Sequence, residues 1–285
     1  GFGVSLSSST ANASGAGIDA GLGNDLVVND GTIDSGAESS AASLSVTMAV
    51  SGVAAAGNST WDGGTTGNAD AFGIALGAGD DQASNTGTIT ASSDSTAIAT
   101  AIAVAPMFGV AIADAVSTAN ADAMAMSAGS GADVLVNEGT LTADADALAY
   151  GLNIAFSAVG GAGAGLSSLL DQGTQSNALA LGAGGDACAG RIRNAATGLV
   201  TVQADARTSA NAVSLALAGV AGAASNALAR ASSRSAPSMP STTARAASTP
   251  ASPATWSRSS AATSACRCAR RRAGAPRAPR STPHP

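Results

Sequence analysis

The side chains best placed to do chemistry in this 285-residue chain are carboxylates that recur at a fixed place in a repeated string. Asp25, Asp81 and Asp133 each close a Gly-x-Gly-x-Asp run, and Asp186 closes a fourth. Oxygen-rich positions of this kind are what a hard cation such as calcium takes, with six or more ligands per ion. If the copies stack, Asp25, Asp81, Asp133 and Asp186 come together as a calcium site, with Asp80 and Asn24 beside them. A plain turn, in which each Asp bonds its own backbone, explains the same residues without a metal. A second carboxylate chemistry is acid–base cleavage of a glycosidic bond, which needs two acids flanking the substrate. Asp80–Asp81 and Asp144–Asp146 are the candidates. Repetition argues for structure over catalysis, and Asp144 and Asp146 share one face of a strand as ordinary solvated residues do. No catalytic residue is assigned, and no cofactor apart from the calcium alternative.

Other chemistries are excluded by composition. The chain has no Lys, and its single His is His284. A phosphate-binding loop with its Lys, a Schiff-base Lys, a His-based triad and a His-rich zinc site are therefore all ruled out in the body of the chain. Three Cys (Cys188, Cys266 and Cys268) make no disulfide framework. Trp61 lies in a turn-rich loop where it could stack on a sugar or pack at the loop base, and Asn58-Ser59-Thr60 fits the short glycosylation sequon.

The elements that must position the carboxylates follow from the whole string, Gly-x-Gly-x-Asp-x-x-x-Asn-x-Gly-Thr-Ile/Leu. Its fixed positions are Gly21, Asn29 and Gly31 in the first copy, Gly77, Asn85 and Gly87 in the second, and Gly129, Asn137 and Gly139 in the third. A fourth copy begins at Gly182, but its Asn194 arrives late and Thr197-Gly198 replaces the Gly-Thr step. Gly-x-Gly-x-Asp reads as one turn, the next residues as a short strand, Asn-x-Gly as a second turn, and Thr-Ile as the start of another strand. Stretches such as Ala143–Tyr150 and Ala97–Val104 then alternate with period two, which puts a row of Ala on one strand face. Gly is 35 residues and aromatics are 2% of the chain, so small residues must fill a thin interior.

The expected fold is all-β: a β-solenoid (β-helix) of about four 52–57-residue repeats over residues 1–229, near 17–72, 73–124, 125–177 and 178–229. The period suggests two or three coils per repeat. The alternative is a wider β-roll in which each repeat forms one coil of long strands. Residues 97–116 are the only stretch that resembles a membrane span, and Pro106, Gly109 and Asp114 count against it, so no transmembrane segment is expected.

Residues 230–285 are Arg-, Pro- and Ser-rich and contain no acid, whereas every acid except Asp205 precedes residue 191. Read literally, this is a disordered basic tail that meets polyanions without specificity. Read one base over, Ala246–Ser257 permits Gly-Ile-Asp-Ala-Gly-Val-Ala-Gly-Asp-Leu-Val, which parallels Gly17–Val27. The tail is therefore taken as frameshifted translation, and no specific nucleic-acid partner is expected. The opening Gly1-Phe2-Gly3 has no signal peptide and reads as the middle of a repeat, hence as a fragment boundary.

The Gly-x-Gly-x-Asp…Asn-x-Gly-Thr-Ile strings followed by Ala-alternating strands resemble repeats in passenger regions of bacterial autotransporters and filamentous-haemagglutinin-like exoproteins. The Gly-x-Gly-x-Asp half alone has some resemblance to the nonapeptides of calcium-binding RTX β-rolls, although it occurs only once per repeat. The first resemblance implies export to the medium or the bacterial cell surface. It also implies a long β-helical surface for adhesion to a host or matrix partner or for self-association, with any translocator barrel lying outside this segment.

Overall fold

The computed structural model describes residues 2–58, 64–165, 173–185 and 190–234, and among these every regular element is a strand. All strand pairs are parallel, and they form three sheets. The long sheet runs β1 (Phe2–Leu6), β5 (Ser51–Asn58), β8 (Thr88–Ala115), β11 (Thr140–Ala164), β14 (Leu199–Ala223), with β4 (Thr32–Met48) also on β8. A second sheet has four-residue strands in the order β13 (Arg191–Asn194), β10 (Val134–Asn137), β7 (Gln82–Asn85), β3 (Leu26–Asn29). The third is β15 (Ala227–Arg234), β12 (Thr174–Gly184), β9 (Ser117–Ser127), β6 (Thr65–Ala75), β2 (Ser9–Asp19).

The register decides how the chain winds. Leu26 is level with Gln82, Gln82 with Val134, and Val134 with Arg191. Each step is one full sequence repeat, so one repeat makes one coil, and the expectation of two or three coils per repeat is corrected to the wider roll. The physical reason lies in β8. Its alternation of buried with outward residues runs unbroken from Ile89 to Ala105, with no turn residue to divide it. Residues 97–116, the span-like stretch, fall mostly in this strand; among the described residues no helix is long and apolar enough to cross a membrane.

At residues 106–109 the long strand bends. Gly109 takes φ +157°, and a Cβ on it would lie 1.8 Å from the carbonyl oxygen of Gly52 in the preceding coil. Gly160 and Gly219 repeat the same stacking, so a column of backbone marks the bend where no side chain fits. Beyond it Ala111, Ala113 and Ala115 return over Ala99, Ala101, Ala103 and Ala105.

Each coil is thus a flattened loop with two interiors. Near the short strands, Ile74, Leu76, Ile89, Met126, Leu135, Leu141, Val200 and Val202 pack among alanines. Beyond Ala97 the buried hydrophobic cluster contains alanine alone. Where the third sheet crosses the long one the backbones nearly touch: a Cβ on Gly15 would lie 2.3 Å from the Gly36 oxygen. Low aromatic content suits so thin a core, because small side chains are needed where the sheets lie closest.

Two boundaries move. Strand β15 pairs with β12 through Arg234, so Arg230–Arg234 belong to the last strand and not to the tail. Gly182 lies inside β12, level with the strand before Ser127, and not at the turn occupied by Gly129. The step from β11 to β12 is longer than that from β8 to β9, since Ala164 is level with Ala113 but Gln175 with Thr118, and these extra residues, which precede Gly182, put it out of register with Gly129. The rest of the tail lies outside the described residues.

Candidate functional site

The repeated turn is built from backbone outward. Gly21, Gly77 and Gly129 have φ of +85°, +84° and +70°, a left-handed conformation that disfavours any side chain. They stack so closely that a Cβ on Gly77 would lie 1.9 Å from the Gly21 oxygen. Next along the chain, Asp81 is fully buried, and its Oδ1 accepts the backbone N–H of Asp25 at 2.7 Å. Asp133 does the same for Asp81 at 3.0 Å. Each carboxylate thereby caps the coil before it. Asp80 Oδ1 accepts the N–H of Ala132, and Asn24 Oδ1 accepts that of Asp80, so the Asp80–Asp81 pair is engaged in turn closure.

Four residues on, Asn29, Asn85, Asn137 and Asn194 form a buried amide ladder. Asn29 Nδ2 donates to Asn85 Oδ1 at 2.7 Å, Asn85 to Asn137 at 2.8 Å, and Asn137 to Asn194 at 2.7 Å. Each amide also donates to the carbonyl two residues ahead, at Gly31, Gly87 and Gly139. Asn194, late in the sequence, still takes its rung and reaches Gly198 instead. Gly87 and Gly139 are needed for proximity, since a Cβ on either would lie about 2 Å from the glycine oxygen one coil back.

This arrangement bears on calcium. The carboxylate oxygens Asp25 Oδ2 and Asp81 Oδ2 are buried without a hydrogen-bond partner. Yet the Oδ1 atoms of Asp81 and Asp133 are occupied by backbone N–H groups, and among the described residues no three His, Cys, Asp or Glu are close enough to share a metal ion. Asp186 lies outside the described residues, as do Trp61, Cys188, Cys266, Cys268 and His284. The side chain of Asn58 is likewise outside them.

Two further polar columns stand on outer faces. On the long sheet, Glu38, Asp94, Asp146 and Asp205 are level with one another, with Asp144 two positions before Asp146. Arg207 pairs with Asp205. Burial, then Asp205, push the Asp144 carboxyl above the usual carboxylate range. Burial also raises Asp146, followed by Asp144 and Asp205, with Arg207 opposing and Asp94 adding. A cleft of about 160 Å³ lies over Asp94, Asp146, Asp205 and Arg207. On the third sheet Asn12, Asn68, Asn120 and Asn177 form an outward amide ladder with bonds of 2.7–2.8 Å. Beside it Asp70 is level with Asp122, whose carboxyl is raised by burial and then by Asp70. Together they line a groove of about 470 Å³.

Three of these features escape sequence reasoning from the repeat string: the bend glycines, the acidic column and the outer Asn ladder. The ladder left a usable trace, since Asn12, Asn68, Asn120 and Asn177 are spaced as the inner asparagines are. The bend glycines left none, because their spacing drifts from coil to coil. Among the described residues, none of the carboxylates forms an isolated, opposed pair. The columns can present rows of acceptors and amides at the coil spacing of ~4.8 Å, which suits a flat or linear partner. No family model matches the chain, and no curated protein or solved structure matches it.

Proposed function

We propose that the chain is an extended structural and adhesive segment of a secreted bacterial protein, acting through its outer faces and not through catalysis. In this reading about four coils form one β-solenoid, part of the surface-exposed passenger of an autotransporter or a filamentous-haemagglutinin-like exoprotein. The carrying observation is that the polar groups are arranged as ladders repeated in successive coils. A catalytic centre needs a unique constellation, whereas an adhesive rod gains from repetition, because equal contacts multiply along its length. The thin core and stacked turns supply rigidity without disulfides.

Two readings remain as alternatives. A calcium-binding β-roll draws on the unpartnered Asp25 Oδ2 and Asp81 Oδ2. A polysaccharide-cleaving β-helix draws on the raised carboxyls of Asp144 and Asp146 beside a cleft, since perturbed acids cluster at functional sites. One set of measurements separates the three. Expressed from its native gene, the protein should be found in the medium or be cleaved by protease added to intact cells, and beads coated with it should retain host cells or matrix. Retention in the cytoplasm overturns the proposal. Release of reducing ends from an acidic polysaccharide favours the enzyme, and a clear calcium-dependent gain in melting temperature favours the β-roll.

A further inference from the structure

The outer face of the long sheet changes character along the strand. Around Glu38, Asp94, Asp146 and Asp205 it is polar, but eight residues on it is apolar. Val46, Ile102, Ile154 and Val213 are level with one another across four coils. Two residues further, Met48 and Leu215 flank the next column. These side chains point away from the alanine core: Val46 is 54% exposed, Met48 68%, Val213 54% and Leu215 50%. Isolated exposed apolar residues are ordinary, but a contiguous apolar face of several hundred Å² marks an interaction site.

We propose that this stripe docks face to face with the same stripe of a second copy of the chain, around a two-fold axis parallel to the coil stack. The inference rests on the adhesive reading above and names its partner. Three arguments select a second copy. The first is shape, because a flat strand face is matched by another flat strand face at ~10 Å, the usual spacing of packed sheets. Size is the second. From the Ala42 column to the Val50 position the stripe, interrupted by the uncharged polar Thr100, Ser209 and Asn211, runs about 26 Å along the strands, at ~3.3 Å per residue, and four coils span about 19 Å. Two such faces bury on the order of 1,000 Å², the lower limit for a specific contact, so the dimer is weak and reversible and strengthens with every added coil. The third is charge. No charged residue stands in the columns through Ala42, Leu44, Val46 and Met48, so nothing on the stripe attracts anionic lipid.

Charge also sets the orientation. The acidic column lies about 26 Å from the Val46 column along the strands. If the two faces met with their strands parallel, both acidic columns would be superimposed. The two-fold along the stack turns one face end for end, which places the acidic columns on opposite flanks, several Debye lengths apart. Coils then stay level across the interface, so two rods can run side by side in register.

Sedimentation velocity of the full chain over a range of concentrations tests this. A reversible monomer–dimer equilibrium is expected, and raising the salt from low ionic strength to about 0.5 M should leave it unchanged or modestly tighten it. The double variant Val46→Lys/Val213→Lys should weaken the dimer at least tenfold while its circular dichroism stays that of the wild type. Should it misfold, Val46→Ser/Val213→Ser serves, with a smaller loss. Ser40→Lys, on the same face beside the acidic column, should leave association intact. A wild type that stays monomeric, or a dimer indifferent to the stripe variants, overturns the proposal. A dimer seen only at high salt overturns the orientation. Flotation of a monomeric chain with phosphatidylcholine vesicles would assign the stripe to lipid instead. A chain that is exported and adheres yet remains monomeric sinks this inference alone and leaves the proposed function standing.

Discussion

The half of each coil near the repeated turns and the half beyond Ala97 solve the same problem in opposite ways. In the near half, bulky Ile, Leu, Val and Met side chains point inward among alanines, beside the buried rungs of Asn29, Asn85 and Asn137 and the buried Asp81 and Asp133. In the far half the buried apolar residues are alanines, with Ser45, Thr47, Asn153 and Ser157 buried among them, and the bulky apolar residues are outside. Both halves alternate with period two, so alternation reports a strand but not which face carries the larger residue. The near half is held by side-chain volume and hydrogen-bonded ladders. The far half is held by the fit of two close backbones, and its outward apolar surface is left for something else to cover.

The contrast can be broken most severely at the turns. Gly77→Ala puts a methyl group into a left-handed position against the Gly21 oxygen, so a loss of about 4 kcal/mol is expected from strain and overlap together. Equilibrium denaturation measures it, and a loss below about 1 kcal/mol would mean that the turn stack is not tight. Leu141→Ala, which empties a fully buried site in the near half, should cost about 3 kcal/mol. In the far half the damaging change is the reverse one. Ala101→Leu should cost about 2 kcal/mol because the alanine layer has no room, and a neutral result would show a looser interior.

Smaller effects sharpen the distinction between inner and outer ladders. Asn85→Ala removes two rungs of the buried ladder and leaves their partners unsatisfied, for an expected loss of about 2 kcal/mol. Asn68→Ala removes equivalent bonds at the surface, where water replaces them, and should cost under about 1 kcal/mol. Equal losses by thermal denaturation would erase the difference between the two ladders. The smallest effect is electrostatic. Asp122, Asp144 and Asp146 have carboxyl pKa values raised above 3.8. Folding therefore favours their protonated forms: that stability is fully present below the unfolded value and is lost as pH rises through the raised folded values. Asp146→Asn should gain under about 1 kcal/mol at neutral pH and flatten this dependence, the gain being limited by solvent and by Arg207. A melting temperature that falls on mild acidification, with no gain in the variant, would count against it.

Much of this was legible in the residues. The glycines at 21, 77 and 129 and the asparagines at 29, 85 and 137 are set by local turn chemistry, which a sequence states outright. Coil width was harder, because it depends on where a long alternating run bends. That bend rests on Gly52, Gly109, Gly160 and Gly219, whose uneven spacing hides their alignment until the strands are paired. Gly182 misled for a related reason: it repeats the motif in type but sits in a strand, since local grammar does not count the residues inserted elsewhere in the coil. The acidic column at Glu38, Asp94, Asp146 and Asp205 depends on register over a whole coil, and Glu in place of Asp disguises its first member.

The inner Asn ladder carries a direction. Every amide donates forward along the chain, from Asn29 to Asn85, Asn137 and Asn194, and its orientation is locked by Asn29 accepting from Gly31 N–H while donating to the same residue's carbonyl. A chain that has completed only its earlier coils therefore holds one unfilled amide N–H at its growing edge, beside a row of open strand groups. The next coil to arrive fills it and exposes another. The stack is in this sense its own template, suited to being laid down from the amino-terminal end one coil at a time.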